Sequence, residues 1–99
     1  MFNIQETKAM TVFGVPDCGE WIHHQNASYK AWLLGYLSGI NAAYNGAKID
    51  HLAQLSSAGQ AFLWMDNYCR RNPLSNVDLG AAALFYELTD RKKALTTKP

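Results

Sequence analysis

The sequence carries few of the signals that announce chemistry. It has only two cysteines, Cys18 and Cys69, and neither sits in a C-x-x-C pair. A tetrahedral zinc module or a thioredoxin-type redox motif needs more ligands at closer spacing. Charged residues make up 17%, below the usual quarter, and the net charge is +1. Such a chain has no global field to draw in a polyanion, so nucleic acid is not an expected partner. The basic residues Arg91, Lys92, Lys93 and Lys98 crowd the last stretch and read as a solvated tail. The longest charge-free run, Ala31–Ala47, is too short to cross a bilayer and contains Asn41 and Asn45. No nucleophile elbow, no phosphate-cradling glycine loop and no spaced Ser/His/Asp or Cys/His set occurs. No enzyme activity and no cofactor are therefore expected.

What the 99 residues do hold is helical periodicity, with 48% apolar residues. That length fits one domain. Residues 1–14 lack a helical period and read as an extended arm. Asp17 with Glu20 three positions on forms a capping-box signature after Pro16, opening a first helix over about Cys18–His24. Gln25–Ser28 is a polar joint in which Asn26 or Ser28 caps the next helix. In that helix Trp32, Leu33, Tyr36, Leu37, Ile40 and Tyr44 recur at spacings of three and four, which predicts a central core helix. Gly35 and Gly39 lie four apart on its flank and read as a packing notch for a neighbouring backbone. Asn45-Gly46 ends the helix. Ala47–Leu55 is a connection with room for one helical turn. A third helix is predicted over Ala58–Arg71, facing inward through Ala58, Phe62, Met65 and Cys69, and stopped by Asn72-Pro73. Ser75 then caps a fourth, with Val77, Ala81, Leu84, Phe85 and Leu88 as its stripe, ending between Leu88 and Leu95. Residues 96–99 read as a frayed tail.

The two cysteines are either joined in a structural disulfide or are two buried thiols, and the disulfide is the expected state. Such a bond would close a loop whose entropy is on the order of 4 kcal/mol and would place the chain in an oxidising compartment, periplasmic or secreted. Met1–Met10 lacks an apolar leader core, so a mature exported sequence is expected. His23 and His24 are adjacent, point about 100° apart on a helix and cannot share one ion. His23 or His24 with His51 and a carboxylate could hold a metal, but nothing in the sequence fixes that geometry, and surface histidines are the expected reading. Three tryptophans and five tyrosines are many for one small domain. Most should fill the core, and one or two of Tyr29, Tyr44, Tyr68 and Tyr86 can remain as contact anchors. The joints at Gln25–Ser28 and Asn72–Asn76 are also places where two copies could exchange an element to form a homodimer.

The set Cys18…Trp21, Trp32-Leu-Leu-Gly-Tyr-Leu-Ser-Gly39, Trp64-Met-Asp-Asn-Tyr-Cys69 and Asn72-Pro73-Leu74 resembles small exported helical proteins of Gram-negative bacteria. The organisation is similar to Rap1a/Tai-type immunity proteins, which protect against amidases, and to acid-stress periplasmic chaperones of the HdeA type. Growth-inhibitory periplasmic proteins encoded on conjugative plasmids share this look. The resemblance implies an exported, disulfide-bonded, often dimeric all-helical protein. An immunity protein would insert a loop into its partner enzyme, and residues Tyr44, Asn45, Lys48, Asp50 and His51 are the candidate contacts. A killing protein would act only when exported. An acid chaperone would loosen when eight carboxylates protonate and nine basic residues plus three histidines raise the charge to about +12. The expected architecture is a compact all-α bundle of four to five helices in a single domain over residues 1–99, stapled by Cys18–Cys69. Its expected activity is binding another protein.

Overall fold

Asp17 and Glu20 fix where the first helix begins. Asp17 Oδ1 accepts from the Glu20 backbone N–H at 2.8 Å, and Glu20 Oε1 accepts from the Asp17 N–H at 3.1 Å, the reciprocal box the sequence spells out. A computed structural model describes residues 11–24 and 26–97, with the side chains of 45, 47 and 93–97 outside that description. Residues 1–10, most of the expected arm, and 98–99 of the expected tail therefore lie outside it, as does Gln25 in the joint.

The described residues form four α-helices, in order α1 Cys18–His23, α2 Ala27–Ala43, α3 Ala58–Arg71 and α4 Val77–Thr97. Short 3-10 turns cover Tyr44–Ala47 and His51–Gln54. Asn26, and not Ser28, caps α2, taking the Tyr29 N–H at 2.9 Å. α2 ends before the expected Asn45-Gly46 stop: its C-cap is Tyr44 in extended backbone, φ -71° and ψ 130°, and Gly46 at φ +65° lies within the 3-10 turn that follows. The α3 boundaries agree with the periodicity, although Ser57 makes no side-chain cap bond and Gln60 Oε1 instead takes the Ser56 N–H at 2.7 Å.

The core is one cluster, and α4 sits at its centre. It packs on α2, on α3 and on the His51–Gln54 turn. Its expected stripe, Val77, Ala81, Leu84, Phe85 and Leu88, is wholly buried. From α2 only Leu33 and Leu37 are buried to that degree, while Trp32, Tyr36 and Ile40 are partly covered and Tyr44 is 42% exposed. The expectation that the charge-free run is the central helix is thus corrected. Neutral residues such as Gly35, Ser38 and Gly39 face water at no electrostatic cost, so lack of charge is not burial. On α3 the buried residues are Ala61, Met65 and Cys69, while Ala58 is exposed and Phe62 half-buried. The fourth helix also runs past its expected end and takes in Thr96 and Thr97.

The close backbone approach expected at Gly35 and Gly39 occurs elsewhere. A Cβ built on either would meet nothing within 4 Å. A Cβ on Gly80 would lie 2.6 Å from Met65 Sδ and 2.7 Å from the Tyr68 ring, so α3 and α4 touch through that glycine. Its spacing offers no G-x-x-x-G signal, because Asn76 and Leu84 stand four residues to either side.

α1 has only six residues and is held to the rest by three devices. Cys18 and Cys69 form the disulfide, across a sequence separation of 51. Trp21 is fully buried, and its indole N–H donates to Asp66 Oδ1 at 2.8 Å. A single antiparallel bridge pairs Asp17 with Asn76, through Cys18 N–H to Ser75 O at 2.9 Å and Val77 N–H to Pro16 O at 3.0 Å. Burial of a tryptophan with its polar edge satisfied is what lets one turn and a half of helix stay docked.

Candidate protein-contact surface

The turn between α3 and α4 presents the most exposed large apolar side chain of the described residues. Leu74 is 99% exposed. The backbone beneath it is tied at both ends. At the α3 side Asn72 caps the helix with two bonds to Tyr68 O, from its N–H and from Nδ2, both 2.9 Å. Ser75 N–H closes the turn on Asn72 O at 3.0 Å, and the Ser75 hydroxyl pairs with the Tyr68 phenol at 2.8 Å. On the far side lie the Asp17–Asn76 bridge and the disulfide through Cys69. Asn72-Pro73 stops α3 as the sequence predicts, and the same dipeptide leaves Leu74 projecting from a fixed loop.

Single exposed leucines are ordinary on protein surfaces. This one is contiguous with other apolar surface. Pro73, Leu74 and the half-exposed Leu79 border one shallow face. On the other side of Pro73 a cleft of about 210 Å³ opens over the disulfide, with Ile22, Pro73, Arg70 and His23 around it. Small-molecule sites run to roughly 300–1,000 Å³, so a space this size suits an anchoring side chain better than a ligand. A second depression, about 450 Å³, runs between α3 and α4 over Leu84 and Leu88. Its tryptophan, Trp64, stacks on Tyr68 and donates to Glu87 Oε1 at 3.0 Å.

The contacts expected at residues 44–51 are partly rearranged. Tyr44 and His51 do come together, their rings 5.5 Å apart and 5.3 and 5.4 Å from Phe85, all in edge-on geometry. His51, however, is 4% exposed, which corrects the expectation of a surface histidine and leaves it little surface to offer a partner. Neither of its ring nitrogens has a hydrogen-bond partner. Asn41 anchors the loop instead, donating to Asp50 Oδ1 at 2.9 Å and accepting the His51 N–H at 3.0 Å. Lys48 and Asp50 are exposed, Tyr44 is partly so, and the Asn45 side chain lies outside the described residues. His23 and His24 are exposed at the end of α1. Among the described residues no three of His, Cys, Asp and Glu are grouped to hold a metal ion.

One further group is electrically distinctive. Burial, and after it the nearby Asp78 carboxylate, hold the Tyr36 phenol above the ordinary tyrosine value of 10.0. Tyr36 stacks on Trp32 at 4.8 Å, and the Trp32 indole donates to the Phe13 carbonyl at 2.9 Å.

Among the described residues no helix is long and apolar enough to cross a membrane. No family model, curated protein or solved structure matches this chain.

Proposed function

We propose that this chain is a non-enzymatic protein-binding protein of the inhibitor or immunity kind, working in the periplasm or another oxidising compartment. The observation that carries the reading is Leu74, an aliphatic side chain held fully in water on a backbone tied from both sides. A loop already fixed in its bound shape loses little conformational entropy on docking, and burying a leucine is worth about 1.5–3 kcal/mol. The Asn72–Ser75 turn, in place of the 44–51 connection, is the part that enters a partner. The Cys18–Cys69 bond supports export, because structural disulfides persist outside the reducing cytosol.

The test places a photo-crosslinking residue at position 74, and separately at the exposed Lys48. Each protein is incubated with periplasmic extract. A defined adduct with a hydrolase from position 74 and not from 48 supports the reading, as does inhibition of that hydrolase by the unmodified chain. Equal labelling from both positions, or none from 74, overturns it.

A further inference from the structure

The site of His51 suits a neutral ring and has no provision for an ion. The side chain is 4% exposed, and neither ring nitrogen has a partner among the described residues. The rings of Tyr44 and Phe85 meet it edge-on. Imidazole is the side chain whose charge ordinarily changes between pH 5 and 8, and an imidazolium is a donor at both nitrogens. A buried charge with no acceptor and no counter-ion is costly. The elements packed on the His51–Gln54 turn are α2 and α4. α2 has no charged residue after Lys30. On α4, Ala81, Leu88 and Thr89 are buried around Phe85, and Thr89 spends its hydroxyl proton on the Tyr86 carbonyl. Asp78 and Lys92 share Phe85's face but stand seven residues to either side, about 10 Å along the axis, and are of opposite sign. Glu87, Asp90 and Arg91 are exposed. In the connection itself Lys48 and Asp50 are exposed, and Asp50 Oδ1 takes the Asn41 amide.

We propose that His51 is a proton-sensitive latch: when its imidazole takes a proton, residues 48–55 swing off α4 while the four helices and the disulfide keep their places. Residues 48–50 and 55–57 are outside regular helix, so hinges flank the turn on both sides and no helix has to break. Besides the ring packing, the segment is tied by Asn41 and by the Gln54 amide, which donates to the Leu88 carbonyl at 2.7 Å. The swing uncovers the Phe85 ring. An open segment hydrates the imidazolium and a closed one does not, so the closed form loses ground as pH falls. The latch is separate from the Leu74 turn and stands whether or not that turn binds a partner.

The experiment measures amide hydrogen exchange on the disulfide-bonded chain at about pH 7.5 and about pH 5.5, across the histidine range, with intrinsic rates corrected for pH. The reporters are the amides of His51, Ala53 and Leu55, bonded to Asn41 Oδ1, the Asp50 carbonyl and the Leu52 carbonyl. Their protection should fall about tenfold or more at the lower pH, while that of α1 and α3 holds. His51→Phe keeps an aromatic ring in the site without a titrating group, and its protection should be the same at both pH values. Nuclear magnetic resonance of the native chain gives a second reading that needs no variant: the His51 ring signals should titrate together with the Ala53 and Leu55 amide signals. Unchanged protection in the native chain, an equal loss in His51→Phe, or a loss shared by α1 and α3 overturns the latch. So does a ring that titrates while the amides stay put or tighten, since the Tyr44 and Phe85 rings would then be holding the cation.

Discussion

Reducing the single disulfide should cost this protein much of its stability. Cys18 and Cys69 are 51 positions apart and both are buried at 1% exposure. In the chain-entropy account a closed loop of that length restricts the unfolded state by about 4 kcal/mol. Whole-domain stabilities run to about 5–15 kcal/mol, so the bond decides whether a small helical domain is robust or marginal. An unfolding entropy of about 2 cal/mol/K per residue gives roughly 0.2 kcal/mol/K for this chain, and the melting midpoint should fall by about 20 °C. The assay is a pair of far-ultraviolet circular-dichroism melts, oxidised against fully reduced, with the Cys18→Ala, Cys69→Ala chain as a control lacking free thiols. Trp21 fluorescence should report the loss of α1 in the same transition, since its indole is docked against Asp66. A drop of less than about 5 °C, roughly 1 kcal/mol, would refute the reasoning. It would mean the denatured chain is already confined by other contacts, or that the bridge and Trp21 alone hold α1.

Other substitutions test the packing. Gly80→Ala should destabilise by about 1–3 kcal/mol, because its Cβ collides with Met65 and Tyr68. Gly35→Ala and Gly39→Ala should each stabilise by about 0.5–1 kcal/mol through helix propensity, and a loss at either in denaturant titrations would reveal a packed neighbour. His51→Phe should be neutral or stabilising in the same titrations, since it removes two buried nitrogens that lack partners, and a loss above about 2 kcal/mol would show that the imidazole is bonded. One tyrosine should titrate above pH 10 by phenolate absorbance, and Tyr36→Phe should remove it. The unfolded phenol releases its proton first, so the stability linked to Tyr36 is full below pH 10 and declines as pH rises through the folded value. Asp78→Asn should lower that value only in part, because burial is the larger cause.

Local chemistry was readable from the sequence wherever a few neighbouring residues decide the outcome. The Asp17/Glu20 box, the α3 limits and the α4 stripe come from caps and from a period of 3.6, which act within one or two turns. Contacts that depend on which neighbour arrives were not readable. Two glycines four apart permit a close approach, yet none comes to Gly35 and Gly39, while Gly80 among alanines receives one. His51 looks polar and reads as surface, but Tyr44 and Phe85 converge on it, the second from a helix distant in sequence. The candidate contact surface was missed for a similar reason. Asn72-Pro73 signals a helix stop, and nothing in the string says that Tyr68, Ser75 and Pro16 would brace the turn after it.

The position of α4 also sets an order of events. The helix that completes the interior is the last of the four to be synthesised, and the strand-like clasp at Pro16 needs Val77 before it can close. A nascent chain shorter than that already holds α3 for α1 to dock on, but lacks α4, the helix on which α2 packs. Closure of the full core therefore waits for the final helix.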